Sequence, residues 1–320
     1  MPGDDGPTTA VPLPSEYAQV GRLRMHYVEC GEGEPTVLLL HGLPVHSYLW
    51  RNVMPHVAPV ARTVAIDLPG FGKSDEPVDP RYELPMYAEF VAGVVAALGL
   101  RKLVLVGMDL GLMAGLYYAR RHETSLAGLV LFEGFVLPID ETLRSQSVWS
   151  RLWMRAFAER SISERAFVRG GAGIVDRVLA HGMVRRLSES DLTQYRTPLA
   201  DEALRRRVWL EGVGTYRIAR AARGADPIAE QVADYASWLS TTPLPKLLLH
   251  AEPGLAATKA TVRLAQRRIA GLETQSVGRG KHFLPEDQPD RLGRAIANFA
   301  GRFSLRRETS PACPCGGITT

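Results

Sequence analysis

Cysteine is nearly missing from this chain. Three in 320 residues, Cys30, Cys313 and Cys315, are too few for a disulfide framework, so a reducing compartment is the expectation. Cys313-Pro314-Cys315 has the spacing of half a metal site. No matching His or Cys pair accompanies it in its Pro/Gly/Thr-rich surroundings, so no metal is expected there. No apolar run approaches the roughly 18 residues that a membrane span requires, and no membrane association is expected. Residues 1 to 15 are Pro/Gly/Asp-rich, without the charged n-region and apolar h-region of a signal peptide, which points to a cytoplasmic location. A strong charge bias is absent too: 38 basic against 34 acidic residues leave +4. The basic residues are scattered among acids with no aromatic-interleaved stripe, which argues against nucleic acid as a partner.

What is present is an ordinary globular composition, 46% hydrophobic and 22% charged, long enough for one large core or a core with a smaller inserted domain. Short apolar strands are expected at Leu23 to Glu29, Thr36 to Leu40, Arg62 to Ile66, Leu103 to Val106 and Ala127 to Phe132. Helical segments alternate with them, at Ser47 to Val57, Met86 to Leu98 and Leu112 to His122. That rhythm is the signature of a mostly parallel sheet with helices on both faces. From about Phe135 to Thr242 strand signals nearly vanish, and Trp149, Trp153, Trp209 and Trp238 sit in Arg-rich helical patterns. This reads as an inserted helical cap. Pro243 to Ala251 and Glu273 to Val277 return to the sheet, and Pro289 to Phe303 forms a last amphipathic helix with Asp287 as its N-cap. The expected division is a disordered start (1–15), a core (16–134 and 243–304), the cap (135–242) and a flexible tail (305–320).

The chemistry centres on Gly107-Met108-Asp109-Leu110-Gly111. An apolar strand ends there and a helix begins, with small residues two before and two after a central side chain. That spacing lets a strand turn sharply into a helix and lifts the central residue above the sheet edge. The lifted residue is a carboxylate, and a carboxylate there suits direct attack on an electrophilic alkyl carbon to give an alkyl-enzyme ester. An ordinary turn with a capping Asp is the alternative. Hydrolysis of such an ester needs a base and a group to orient it. Of the eight histidines, His282 in Gly280-Lys281-His282-Phe283 lies in the glycine-bounded loop between the last strand and last helix, as the chain order nucleophile, acid, His requires. Two acids at strand ends compete to orient it, Glu133 and Glu252. His41-Gly42-Leu43-Pro44 supplies a tight turn whose backbone N–H groups, with that of Leu110, can face developing negative charge; His41 itself reads as structural.

These segments together resemble the α/β-hydrolase superfamily, and more narrowly the haloalkane dehalogenases. The likeness runs from about Arg22 to Arg302 through His41-Gly-Leu-Pro-Val-His-Ser-Tyr-Leu-Trp-Arg51, Asp67-Leu-Pro-Gly-Phe-Gly-Lys-Ser-Asp75, the elbow, Phe132-Glu-Gly-Phe-Val-Leu-Pro138, Pro243-Leu-Pro-Lys-Leu-Leu248, Ala251-Glu-Pro-Gly254 and Gly280-Lys-His-Phe-Leu-Pro-Glu-Asp287. The resemblance implies an α/β-hydrolase fold with a helical cap, Asp109 as nucleophile, His282 as base and Glu133 as acid, with Glu252 the alternative. It also implies a small hydrophobic organic substrate, no cofactor, and a monomer. Two positions depart from the pattern: where the family places halide-donating Trp and Asn side chains, this chain has Leu110 and Leu43, neither of which can donate. Candidate replacements are the cap indoles of Trp149, Trp153 and Trp209. Related Asp-nucleophile epoxide hydrolases instead protonate an opening epoxide with cap tyrosines, for which Tyr195, Tyr216 and Tyr235 are the candidates. The expectation is a dehalogenase-like hydrolase. An epoxide hydrolase and a drifted, non-hydrolytic biosynthetic or binding protein are the alternatives.

Overall fold

The computed structural model describes residues 13–78, 83–145, 173–206 and 227–304. Eight strands form one sheet in the order β1-β2-β4-β3-β5-β6-β7-β8, namely β1 (Glu16–Val20), β2 (Leu23–Cys30), β3 (Thr36–Leu40), β4 (Arg62–Ile66), β5 (Leu103–Met108), β6 (Leu126–Phe132), β7 (Lys246–Pro253) and β8 (Leu272–Gly280). The pairs β1/β2 and β2/β4 are antiparallel and the rest are parallel. The central strands β3 and β5 are buried at every residue, as continuous apolar runs enclosed on both faces should be. The edges read differently. In β1 only Ala18 is buried, and in β8 only Val277 and Gly280, so neither edge carries the apolar run that marks a strand in sequence. Thus β1 went unexpected and β8 extends past the Glu273 to Val277 expected.

The helices of the core are α1 (Met54–Val57), α2 (Leu84–Ala97) and α3 (Asp109–Arg121), followed by α8 (Lys259–Arg268), α9 (Leu284–Asp287) and α10 (Pro289–Gly301) once the chain has returned from the cap. The segment expected as one helix from Ser47 to Val57 is instead a 3₁₀ turn, Ser47–Trp50, and the single turn α1. Asp67 is responsible in part: its buried Oδ1 accepts the Ser47 N–H at 2.7 Å, drawing the start of the segment toward β4. Between β6 and β7 the described residues are helical, α4 (Ile139–Ser145), α5 (Gly173–Gly182), α6 (Glu189–Arg196) and α7 (Pro227–Thr241), with no strand among them; these are the cap helices.

Chain order reverses around β3, which pairs with β4 on one side and β5 on the other. In open parallel sheets a crevice opens at the carboxyl ends of such strands. Residues 41–44 leave β3 there and Asp109 leaves β5, with Leu40 paired to Gly107 in register. On the far side of β5, Met108 pairs with Phe132, which brings Asp109 and Glu133 side by side one step beyond the sheet.

A buried polar cluster ties the cap to the core. The Arg51 guanidinium reaches Glu286 (Nη1–Oε1 2.5 Å) and Asp191 on α6 (Nη2–Oδ1 2.8 Å), and all three side chains are at most 4% exposed. Tyr195 donates its hydroxyl to Glu286, and Tyr48 donates to Asp191 at 2.9 Å. Removing one partner would leave a buried charge uncompensated, which typically costs about 3–5 kcal/mol, so the cap is anchored at this point.

Candidate active site

Asp109 begins α3 with φ +50°, a left-handed conformation that a residue with a side chain adopts at a cost of order 1–3 kcal/mol. The surroundings over-determine it. A Cβ on Gly111 would stand 2.3 Å from the His41 carbonyl oxygen, and one on Gly42 would stand 2.4 Å from the Asp109 Cβ. Glycine is required at both places, at Gly111 because its backbone presses on that of residues 40 and 41, and at Gly42 because the Asp109 side chain lies directly against it. Glu133 repeats the device at the end of β6 with φ +44°, and its carbonyl accepts the Asp109 N–H at 3.1 Å. The two acid-bearing turns therefore brace each other.

The Asp109 carboxylate has two differently treated oxygens. Oδ1 accepts the backbone N–H groups of Leu43 (3.1 Å) and Leu110 (2.6 Å). Oδ2 lies 3.4 Å from His282 Nε2. Burial alone would raise this carboxyl's pKa; the His282 hydrogen bond and charge, with the two N–H groups, outweigh burial and hold it below the ordinary value. On the far side of the ring, His282 Nδ1 stands 3.5 Å from Glu133 Oε2, a close charge contact that is too long and poorly aligned for a made hydrogen bond. Burial pushes the imidazole down, and the contacts with Asp109 first and Glu133 next more than reverse it, to about 9. The two acids on either side of the ring therefore favour its protonated form in the resting site.

Glu133 is fully buried, and its carboxylate accepts the N–H groups of Leu255 (3.1 Å to Oε2) and Ala256 (2.7 Å). Those donors belong to the loop that follows β7, the strand on which the competing acid sits. Glu252 itself turns outward, 53% exposed, to pair with Lys259 at 2.9 Å, and does not face His282. Of the two acids only Glu133 stands beside the ring. His41 is buried between the Gly42 carbonyl (Nδ1, 2.9 Å) and the Leu68 N–H (Nε2, 2.9 Å). Its Nδ1 carries the proton and its Nε2 accepts. Burial outweighs nearby carboxylates and lowers its pKa to about 4, so it stays neutral and structural.

The side chains of Leu43 and Leu110 offer no donor, although their backbones do. Tyr195 and Tyr235, two candidate cap donors, are both fully buried and already engaged: Tyr195 donates to Glu286, and Tyr235 to the Phe135 carbonyl at 2.7 Å. The phenol of Tyr195 is raised well above its ordinary value by burial first and then the Glu286 charge; burial alone raises that of Tyr235. Neither hydroxyl is free for a substrate. Trp149, Trp153, Trp209 and Tyr216 lie outside the described residues. Among the described residues no group of His, Cys, Asp and Glu is placed to hold a metal ion, and no helix is long and apolar enough to cross a membrane.

Sequence reasoning missed the Leu255 and Ala256 donors. Backbone donors leave no residue-type signature, but Pro253-Gly254 directly after a strand marks the turn that presents them. It also misread Asp287. The N-cap of α10 is Gln288, with no side-chain capping bond, and the Asp287 carboxylate is taken up by three backbone N–H groups elsewhere.

Over residues 35–289 the chain matches the family described as alpha/beta hydrolase fold. It is 35% identical over 296 residues to a haloalkane dehalogenase of Sphingobium indicum, spanning 90% of this chain and 95% of that protein. It is 31% identical over 293 residues to a haloalkane dehalogenase of Mesorhizobium japonicum, spanning 89% and 90%. Among solved structures, haloalkane dehalogenase DbeA from Bradyrhizobium elkani aligns with a TM-score of 0.81 at 28% identity, over 90% of this chain and 98% of that one. Haloalkane dehalogenase DatA from Agrobacterium tumefaciens C58 aligns with a TM-score of 0.76 at 28% identity, over 90% and 96%.

Proposed function

Because this chain belongs to the α/β-hydrolase fold family and is haloalkane dehalogenase-like, we propose that it hydrolyses small organic halides through an ester on Asp109. The observation that carries this reading is the split environment of the Asp109 carboxylate. Two backbone N–H groups hold Oδ1, while Oδ2 faces His282. Oδ2 attacks the sp³ carbon, the carbon–oxygen bond forms, and the carbon–halogen bond breaks with both its electrons leaving on halide. Oδ1 becomes the ester carbonyl oxygen, already seated between Leu43 and Leu110. Water then adds to the ester carbon, giving its proton to His282 Nε2. Charge builds on Oδ1 where the two N–H groups await it, an arrangement worth about 2.7–4 kcal/mol per donor in comparable sites. Collapse releases the alcohol and restores the Asp109 carboxylate.

Esterification also switches the base on. In the resting site burial pushes the imidazole down, and the contact with Asp109 is the largest of the influences that raise it to about 9, with Glu133 next. An ester has no charge, so forming it removes that influence and leaves burial opposed by Glu133 alone, which lowers the proton affinity of the imidazole. His282 therefore gives up a proton to solvent more readily when there is an ester to hydrolyse, and the free Nε2 can then accept one from water. Glu133, held by Leu255 and Ala256, keeps the ring oriented and balances the imidazolium that forms.

A second reading, epoxide opening, is favoured by one observation: the Leu43 and Leu110 side chains give a departing halide nothing to bond. Against it, the Tyr195 and Tyr235 hydroxyls are occupied. Incubating His282→Phe with a bromoalkane or a terminal epoxide, then weighing the peptide that contains Asp109, decides between them. An added alkyl mass supports the halide reading, an added hydroxyalkyl mass the epoxide reading, and an unmodified peptide with both refutes ester formation.

A further inference from the structure

The loop carrying His282 is held by the cap as much as by the core. Gly182, the last residue of α5, offers its carbonyl to two successive N–H groups, those of His282 (2.8 Å) and Phe283 (3.1 Å). A Cβ at Gly182 would stand 2.6 Å from the Phe283 ring, so the two segments meet without room for a methyl group. Just beyond, Asp287 Oδ1 accepts the N–H groups of Val184 (2.8 Å) and Arg185 (3.0 Å), while Oδ2 accepts that of Lys281 (2.9 Å). One carboxylate thus spans the cap segment after α5 and the residue directly before His282. The neighbouring Glu286 adds its own ties, its carbonyl to the Arg185 guanidinium at 3.2 Å and its carboxylate to Arg51.

We propose that Asp287 is a positioning residue for the base: it locks the loop of residues 281–283 to the cap and so sets the place of the His282 ring between Asp109 and Glu133. The inference rests on the reading of His282 as the base. The ring's contacts, 3.4 Å on one side and 3.5 Å on the other, lie at the outer edge of useful geometry, where a small displacement breaks them. Asp287 touches neither reacting atom. Its carboxylate meets three N–H donors, an array that an amide of the same shape satisfies poorly, because its NH2 group would face at least one of them. The cap on this side is a scaffold for the catalytic loop, and the ester-hydrolysis step is where its loss is felt. Attack by Asp109 involves no proton transfer through the imidazole, whereas water activation depends on the ring as base.

The test is Asp287→Asn in the full chain, with two readouts. Rapid-quench mass analysis with a bromoalkane gives the rate of ester formation and of ester breakdown separately. Breakdown is expected to fall about 10²-fold, the usual consequence of misplacing a catalytic group by about 1 Å, with formation nearly unchanged, so that alkyl-enzyme accumulates. NMR titration of the His282 imidazole is the second, which needs no substrate. Its midpoint is expected to drop from that of the unaltered protein as its carboxylate contacts lengthen. An equal fall in both rates, or an unchanged breakdown rate, overturns the proposal. If His282→Phe traps no ester, the proposed reaction fails instead, and the titration alone decides: an unmoved midpoint overturns the positioning role. A thermal melt separates general loss of the fold from either result.

Discussion

Replacing Asp109 by Asn tests the charge coupling on which the proposed cycle depends. Asn keeps the shape of the side chain and tolerates the left-handed backbone at φ +50°, so the elbow should persist while the negative charge is lost. In the unaltered protein the imidazole of His282 is raised from 6.5 to about 9 even though burial works the other way. That displacement is worth ~3 kcal/mol in favour of the charged ring, at about 1.4 kcal/mol for each pH unit. Asp109 and Glu133 share it, and the Asp109 hydrogen bond is the largest of the raising contributions. The NMR midpoint of His282 is therefore expected to fall by more than about one pH unit in Asp109→Asn.

The same charge appears in stability against pH. The folded midpoint of His282 lies above its unfolded value, so its stabilising contribution is full below pH 6.5 and is lost as pH rises through about 9. Asp109 has the opposite sign: its lowered pKa gives stability that is present above about 3.9 and is lost on acidification. Denaturant melts should show the largest gap between the two proteins between about pH 5 and 6.5, closing above about 9. A variant midpoint within about half a pH unit of the unaltered protein would refute the coupling, and with it the account of how ester formation releases the base.

Glu133→Gln should slow ester breakdown by about 10²-fold or more, as expected for loss of a base-orienting charge, whereas Glu252→Gln should leave single-turnover rates within about twofold. Equal effects of the two changes would contradict the assignment of the acid. Installing donors with Leu110→Trp and Leu43→Asn together should raise halide release by about 10² to 10³ if departing charge limits the reaction, read by ion chromatography of the free halide. An unchanged rate would place the limit elsewhere. Tyr195→Phe should cost about 1–3 kcal/mol in chemical denaturation by removing a donor from the buried Glu286 carboxylate. It should leave product formation from an epoxide unaltered, because the hydroxyl is not aimed at substrate; a selective loss of epoxide turnover would reinstate it as a proton donor.

The parts legible in sequence are those written in side-chain pattern. Buried strands such as β3 and β5 announce themselves as unbroken apolar runs, and the glycines flanking Asp109 mark the sharp turn because any Cβ there would collide with backbone. The edge strand β1 does not, since a strand with one buried residue looks like a loop, and of β8 only the part from Glu273 to Val277 could be read. The competition between Glu133 and Glu252 could not be settled by position, as both end strands at the same edge. It turns on where a few backbone N–H groups point, and the loop just after Glu252 spends its own on Glu133. The Asp287 misreading has the same origin. An acid one residue before Gln288 and Pro289 fits a capping pattern, but three orphan N–H groups from distant segments compete for its carboxylate and win.

The two halves of the site are unequally equipped, and that inequality bears on which step governs turnover. In the proposed ester hydrolysis the described residues would supply a seated oxyanion position, an imidazole whose proton affinity drops once the ester forms, and a buried carboxylate beside the ring. For departure of the leaving group the flanking side chains at positions 43 and 110 are aliphatic, and the two candidate cap phenols among the described residues, Tyr195 and Tyr235, are committed to Glu286 and Phe135. A site of this kind lowers the second barrier more than the first, so bond cleavage at the substrate carbon should govern the rate. Good leaving groups then gain most: bromide and iodide, which carry departing charge without strong hydrogen bonding, should be turned over far faster than chloride. The ratio of bromoalkane to chloroalkane rates reads this directly. A ratio near one would mean that ester breakdown is limiting, or that a donor beyond the described residues completes the leaving-group side.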